Sequence, residues 1–197
     1  MIRTRRTSSP VDGPIFKSRD ELVFKIIVIG DPGVGKASLL NNFLNKRFEE
    51  KYIHTVGVNI LKEEVMVSDK KGNPVMVNLM FWVISGRPQF YMLYRPYFNG
   101  ANGMILMYDI THFRSFLDII KWYALAVRYG LSRIPRILVG IIKDLIPKRE
   151  VSRPMTEILS KILNAPFFET SVLTGRGINV IFQKIADLTY QSKLMVL

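Results

Sequence analysis

Residues 23–38 of the chain read VFKIIVIGDPGVGKAS, and this stretch decides the kind of fold that the rest of the sequence builds. Its first seven residues are mostly apolar and rich in β-branched side chains, which is typical of a buried strand. Gly30 ends the apolar run, and residues 36–45 then carry apolar side chains at helical spacing. The stretch therefore predicts a strand, a short glycine-rich loop and a helix in direct succession.

The loop between that strand and that helix has the spacing of a phosphate-binding loop, Gly-x4-Gly-Lys. Glycines allow backbone N–H groups to converge on phosphate oxygens, the lysine reaches the outer phosphates, and the helix turns its positive end toward them. Where such loops continue with a Ser or Thr that binds Mg²⁺, the chain has Ala37. Ser38 lies about 100° further around the helix, so we do not expect it to replace that hydroxyl. The candidate phosphate-binding residues are Gly30, Asp31, Pro32, Gly33, Val34, Gly35, Lys36, Ala37 and Ser38.

The remaining chain alternates strand-like and helical patterns, which is typical of an α/β fold. Two further strands, 56–67 and 75–83, are joined by the turn sequence DKKGNP. The other predicted strands are residues 103–108, 136–142 and 167–170, and the other predicted helices are residues 113–129, 155–163 and 178–190. This order predicts a six-stranded sheet with five parallel strands and one antiparallel edge strand, flanked by five helices on two faces. Ligands of such sheets bind at the carboxyl ends of the strands.

Composition and charge limit the classes of partner and the kinds of covalent chemistry that we expect. The 197 residues include 28 Lys and Arg against 16 Asp and Glu, a net charge of +12 that favours phosphates, nucleic acid or anionic lipid. The basic residues are dispersed and form no recognised nucleic-acid module, so no nucleic-acid partner is expected. There is no cysteine, which excludes disulfides, zinc–thiolate sites and prenyl anchoring.

We expect three segments: a basic, disordered extension (1–21), the folded domain (22–193) and a short end without a lipidation motif (194–197). The longest uncharged run has 15 residues, too few to span a membrane. The expected localisation is cytoplasmic, with membrane contact at most peripheral.

Several stretches together resemble the Ras superfamily of small GTPases, most closely the Rab branch. They are FKIIVIGDPGVGK (24–36), YIHTVGV (52–58), RPYFNGANGMILMYDIT (95–111), ILVGIIKDL (137–145) and ETSVLTGRGINVIFQKIADL (169–188). The resemblance covers residues 23–191 and implies a P-loop NTPase fold of the Ras-like G-domain type. It also implies GTP or GDP as ligand, Mg²⁺ as cofactor, effector or regulator proteins at the switch regions, and a role in intracellular signalling or vesicle trafficking.

The metal and catalytic positions depart from the family pattern. The resemblance implies that Thr55, in the first switch, binds Mg²⁺ and the outer phosphate. In the second switch the family has Asp where this chain has Val83, and a water-positioning Gln where it has Arg87. Gly86 is retained and its N–H remains available to a phosphate, whereas Pro88 replaces a Glu. We therefore expect an impaired Mg²⁺ site, little or no GTP hydrolysis and no catalytic residue.

Several residues that recognise the base in the family are also replaced in this chain. The family reads guanine with Asn-Lys-x-Asp, where this chain has Ile141-Ile142-Lys143-Asp144. Asp144 retains the carboxylate that discriminates guanine, but Ile141 cannot bridge the base to the phosphate loop. The candidate guanine-binding residues are Lys143, Asp144, Ser171, Val172 and Leu173.

Three functions remain open at this point. The first is a switch or adaptor module that binds guanine nucleotide weakly. The second is a nucleotide-free pseudo-GTPase that acts as a protein-interaction scaffold, and the third is an active GTPase that uses the substituted residues. Gly30, Gly35, Lys36 and Asp144 favour the first over the second, because binding would require them.

Overall fold

The computed structural model describes residues 21–44, 51–53, 57–142, 148–171 and 173–195. Seven strands in this part of the chain form one sheet in the order β2-β3-β4-β1-β5-β6-β7. They are β1 (Leu22–Ile29), β2 (Lys51–Ile53), β3 (Val58–Ser68), β4 (Pro74–Ile84), β5 (Gly103–Asp109), β6 (Arg136–Ile142) and β7 (Phe167–Ser171). The α-helices are α1 (Lys36–Leu44), α2 (Tyr94–Phe98), α3 (Phe113–Leu117), α4 (Ile119–Arg128), α5 (Arg153–Leu163) and α6 (Ile178–Leu194).

The predicted α/β architecture is confirmed. Strands β4, β1, β5, β6 and β7 run parallel, and β3 pairs antiparallel with β4 along its whole length, from Val58 opposite Ile84 to Ser68 opposite Pro74. The six expected strands all form, with ends that differ by at most two residues from the predicted ones. The three-residue strand β2, which the sequence did not predict, lies outside β3 as a further antiparallel edge.

Two helical expectations needed correction. The single helix predicted over residues 113–129 is interrupted at Asp118, whose carboxylate pairs with Arg114 before the break and Lys121 after it. The segment between β4 and β5, for which no element was assigned, forms a 3-10 helix (Pro88–Leu93) that continues into α2. Proline is favoured at a first helical position, where its missing N–H costs nothing. If α3 and α4 are counted together, the described helices match the predicted five.

Two hydrophobic cores cover the two faces of the sheet, and β1 shows why. Its alternate residues Ile26 and Val28 pack toward α1 and α6, whereas Ile27 and Ile29 pack toward α2, α4 and α5. Side chains alternate across a strand, so a central parallel strand must be apolar at nearly every position. The core thus holds the carboxyl end of β1, and the loop after it, at the middle of the sheet.

No helix within the described ranges is long and apolar enough to cross a bilayer. The predicted basic extension lies outside the described residues apart from Glu21, as do residues 196 and 197 of the short end.

Candidate functional site

The loop after β1 has the backbone that its glycines predict. Gly30, Gly33 and Gly35 have φ values of +149°, +79° and +99°, which side chains with a Cβ rarely adopt. At Gly30 a Cβ would also clash with the carbonyl oxygen of Met107 in β5. These residues are therefore glycine for conformational reasons, and the loop can turn its N–H groups inward as a phosphate site requires.

Lys36 is the buried cation of this loop. Only 8% of it is exposed, and its Nζ donates to the carbonyl oxygens of Gly30, at 2.7 Å, and Asp31, at 2.8 Å. An ammonium group has three donors, so two of them organise the loop and the third can serve a ligand. Burial lowers the pKa of Lys36 to about 8, with the Asp31 carboxylate opposing the shift.

Asp31 connects the loop to a distant helix. Its Oδ1 accepts a hydrogen bond of 2.8 Å from the indole Nε1 of Trp122 in α4. Trp122 was not among the candidate residues, because the two residues are 91 positions apart and neither carries a local signal of the contact. The hydrogen bond ties the position of the loop to the packing of α4.

A cavity of about 470 Å³ lies against the loop, the amino-terminal end of α1 and the segment after β4. Its described lining residues are Pro32, Gly33, Gly35, Lys36, Ala37, Ser38, Gly57, Val58, Asn59, Val83, Ile84, Ser85, Gly86, Arg87, Gln89 and Phe90. Two of them are charged, Lys36 and Arg87, and none is Asp or Glu. The cavity therefore presents positive charge and neutral oxygens, which suits a polyanion.

Seven of the eleven predicted phosphate-site residues line this cavity: Pro32, Gly33, Gly35, Lys36, Ala37, Ser38 and Gly86. Gly30 and Asp31 do not line it, and their carbonyl oxygens accept the hydrogen bonds of Lys36. Ser38, expected to turn away, lies on the same lining as Ala37. Val34 instead packs into the core, with 2% of its surface exposed. Thr55, the predicted metal and phosphate residue, lies outside the described residues.

Gly86 brings the segment after β4 into direct contact with the phosphate loop. A Cβ at Gly86 would lie 2.6 Å from the carbonyl oxygen of Gly30 and 2.9 Å from Pro32 Cδ. The next element begins at Pro88, with Arg87 as its N-cap residue in an extended conformation. Arg87 is thus held beside the phosphate loop by a close backbone approach.

The described lining of the cavity offers no carboxylate to Mg²⁺. Mg²⁺ is a hard cation that proteins bind through one or two carboxylates together with substrate phosphates. Ala37 and Val83 stand where the family has Mg²⁺-organising groups, and neither side chain has an oxygen. The side-chain oxygens in the described lining are hydroxyls and amides, from Ser38, Asn59, Ser85 and Gln89. Elsewhere in the described residues, no cluster of three or more His, Asp or Glu side chains could hold a metal.

The expected base site lies at the carboxyl ends of β6 and β7, where Ile142 is in register with Ser171. The Ser171 hydroxyl accepts a 3.2 Å hydrogen bond from the N–H of Thr174, and the side chain of Leu173 is exposed. Lys143, Asp144 and Val172 lie outside the described residues. The described part therefore provides the edge on which a base could lie, at the same end of the sheet as the phosphate loop.

Comparison with known proteins agrees with this geometry. The Ras family profile matches residues 25–191. The chain is 34% identical to Ras-related protein Rab-1C of Dictyostelium discoideum, over 85% of this chain and 81% of that protein. It is 34% identical to Ras-related protein SEC4 of Saccharomyces cerevisiae, over 87% of this chain and 77% of that protein. It is 32% identical to GTP-binding protein ypt1 of Schizosaccharomyces pombe, over 82% of this chain and 77% of that protein. The chain therefore belongs to the Ras family of small GTPases and is Rab-like within it.

Proposed function

We propose that this chain is a guanine-nucleotide-binding switch or adaptor module that uses Mg²⁺ weakly and hydrolyses GTP slowly or not at all. The observation that carries the proposal is the cavity against the phosphate loop. Its glycine conformations and buried Lys36 suit phosphates, while its described lining has no carboxylate. A relative named as a GTP-binding protein supports guanine nucleotide as the ligand.

In this proposal the phosphates are held by the chain's own donors. Backbone N–H groups of the loop and the amino-terminal end of α1 face the phosphates, and Lys36 adds its remaining N–H donor. Asp144, retained at the family's discriminating position, accepts hydrogen bonds from guanine. Effector or regulator proteins bind the switch regions according to whether nucleotide is present.

Slow hydrolysis follows from what the site lacks. Phosphoryl transfer depends on positioning the attacking water and on neutralising the charge that develops on the phosphates. Ala37 and Val83 provide no ligand oxygen for a metal, and Arg87 cannot orient a water as the amide of Gln does. We therefore expect signalling to depend on nucleotide occupancy and partner competition rather than on a hydrolysis step.

Calorimetry with GDP and GTP, with and without Mg²⁺, tests the proposal. We expect weak binding of guanine nucleotides, little change on adding Mg²⁺, and no binding of ATP. Lys36→Ala should remove the binding, while Lys161→Ala, which removes an exposed lysine on α5, should not. The same preparations should release no more phosphate from labelled GTP in single-turnover assays than Lys36→Ala does.

Two results would contradict the proposal. The absence of heat at millimolar nucleotide would favour a nucleotide-free scaffold. A large Mg²⁺ enhancement, or phosphate release at the rate of an ordinary small GTPase that Lys36→Ala abolishes, would show that the substituted residues support the metal chemistry.

A further inference from the structure

Two cations on different elements line the phosphate cavity, and their arrangement suggests how the site selects its ligand. Lys36 approaches from α1, and Arg87 approaches from the segment after β4. Among the described residues of the lining no carboxylate opposes them, and none of the described carboxylates forms an ion pair with Arg87. The Asp31 carboxylate lies near enough to act on Lys36 but does not line the cavity, so a ligand with several negative charges would meet a lining whose charged side chains are both positive.

The backbone at Arg87 is held firmly beside the cavity. On one side, Gly86 packs against Gly30 and Pro32 of the phosphate loop. On the other, the Phe90 N–H donates to the Arg87 carbonyl at 3.1 Å, and the Phe90 ring lies so close to Gly57 that a Cβ there would come within 2.5 Å of it. The exposed Arg87 side chain thus starts from a fixed point.

The Tyr94 hydroxyl also holds this segment, because it donates a 2.8 Å hydrogen bond to the carbonyl oxygen of Ser85. The Tyr94 side chain is fully buried, whereas Ser85 is half-buried, so the contact lies at the edge of the core. The backbone that carries Arg87 is therefore anchored on both sides, and the side chain of Arg87 remains to adjust to a ligand.

The strand order indicates which phosphate Arg87 would meet. In the sheet, β1 lies between β4 on one side and β5, β6 and β7 on the other. The expected base edge is at β6 and β7, the phosphate loop follows β1, and Arg87 follows β4. A nucleotide whose base lies on β6 and β7 would cross the loop and direct the phosphate farthest from its base toward Arg87.

We propose that Arg87 is a specificity-determining residue whose guanidinium, together with Lys36, recognises the third phosphate of a nucleoside triphosphate without a divalent cation. This inference rests on the proposed function, because it concerns the same cavity. The planar guanidinium donates two parallel hydrogen bonds to phosphate oxygens, and such charge-assisted bonds are about twice as strong as neutral ones. The site therefore separates triphosphate from diphosphate by the charge of a side chain instead of by a bound metal.

The test is calorimetry in the presence of a chelator, comparing GTP with GDP for the wild-type chain and Arg87→Gln. In the wild type GTP should bind about tenfold more tightly than GDP, as expected for one additional charge-assisted contact. Arg87→Gln should reduce that ratio to about one by weakening GTP much more than GDP. Arg87→Lys should recover part of the preference for GTP, because lysine keeps the positive charge but cannot donate two parallel hydrogen bonds from a planar group.

A matched control and a second probe separate this inference from the proposed function. Arg95→Gln removes an exposed arginine of α2 that does not line the cavity, and it should leave the GTP to GDP ratio unchanged. Tripolyphosphate should compete with guanine nucleotide better than pyrophosphate does in the wild type, but not in Arg87→Gln. Neither polyphosphate has a base, so this comparison is independent of any base contact. Equal binding of GTP and GDP by the wild type, or an unchanged ratio in Arg87→Gln, would overturn the inference and leave the proposed function standing. Failure of both nucleotides and both polyphosphates to bind would overturn the two together.

Discussion

Lys36 is the residue whose charge state most directly controls the proposed site. Burial lowers its pKa to about 8, so a growing fraction of the free protein carries a neutral amine as the pH rises past that value. A phosphate binds the ammonium form, and above pH 8 binding must take up a proton. For folding the sign is opposite: the unfolded chain binds more protons between about pH 8 and 10.5, so the lysine's contribution to the free energy of unfolding rises with pH there.

We predict that nucleotide affinity falls about fourfold between about pH 7 and about pH 8.5, because the Lys36 amine must be reprotonated on binding. Calorimetry across this range measures it. Lys36→Arg, whose guanidinium stays charged, serves as the control, and any residual affinity of that variant should be flat. A flat wild-type profile would show that Lys36 stays protonated and that its burial does not limit binding.

The residue scale also shows where prediction from the sequence succeeds. Gly30, Gly35 and Lys36 could be assigned from spacing alone, since a phosphate loop is a local backbone motif of a few consecutive residues. Gly86 could be aligned with the second switch but not explained. The need for glycine there comes from Gly30 and Pro32, which lie more than fifty positions earlier in the chain.

At the scale of elements, the contact between α4 and the phosphate loop is the least local feature of the site. The Trp122 indole N–H donates to the Asp31 carboxylate, while the rest of the ring packs in the core beside Tyr94. A helix that moved along the sheet would therefore carry the loop with it or break this hydrogen bond. Hydrogen bonds to charged acceptors contribute about 1.5–3 kcal/mol to stability.

We predict that Trp122→Phe lowers the free energy of unfolding by about 1–3 kcal/mol and weakens nucleotide binding, because Asp31 loses its donor while an aromatic ring still fills the core. Urea denaturation and calorimetry measure the two effects. A double-mutant cycle with Asp31→Ala isolates the pair, since each single change removes the same contact. Additive effects in that cycle would show that the loss comes from packing rather than from the hydrogen bond.

The break between α3 and α4 illustrates a further limit of periodicity. The apolar pattern of residues 113–129 is continuous, so a single helix was the natural prediction. The interruption at Asp118 is slight, because its N–H still donates to the Arg114 carbonyl and its carbonyl still accepts from the Trp122 N–H, both at 3.0 Å. The carboxylate of Asp118 pairs with Arg114 and Lys121 at the spacing of a continuous helix. The predicted helix therefore lies at the right place in the chain, and only its continuity was wrong.

At the scale of the whole molecule, one ion pair joins the segment before α5 to the last strand of the sheet. Arg149 donates two hydrogen bonds of 2.8 Å to the two carboxylate oxygens of Glu169 in β7. These hydrogen bonds hold the pKa of Glu169 below its ordinary value. The folded state therefore gains stability above the unfolded pKa of about 4.5, and loses it as the pH falls through the lower folded-state pKa.

We predict that Glu169→Gln lowers the free energy of unfolding by about 1 kcal/mol at neutral pH, because the pair is bidentate but partly open to solvent. The difference from wild type should shrink as the pH falls below about 4.5, and denaturant titrations at several pH values measure it. Glu157→Gln is the matched control, since Glu157 is exposed and lies 3.9 Å from Arg153. An equal effect of both substitutions would contradict a special role for the Arg149 pair.

The sequence by itself determined most of the elements, but not β2 or the helical segment between β4 and β5, and it determined which residues stand at the family's motif positions. Apolar runs, helical spacing and glycine spacing report local backbone preferences, so the six main strands and the phosphate loop could be predicted from them. The substitutions Ala37, Val83 and Arg87 follow from the resemblance to the Ras superfamily, which supplies the residues expected at those positions. Only the tertiary structure decided which distant residues meet: Trp122 with Asp31, Gly86 with Pro32, and Arg87 with Lys36 across one cavity. The physical reason is that these contacts depend on which strand ends the sheet order brings together, and no local pattern of side chains encodes that order.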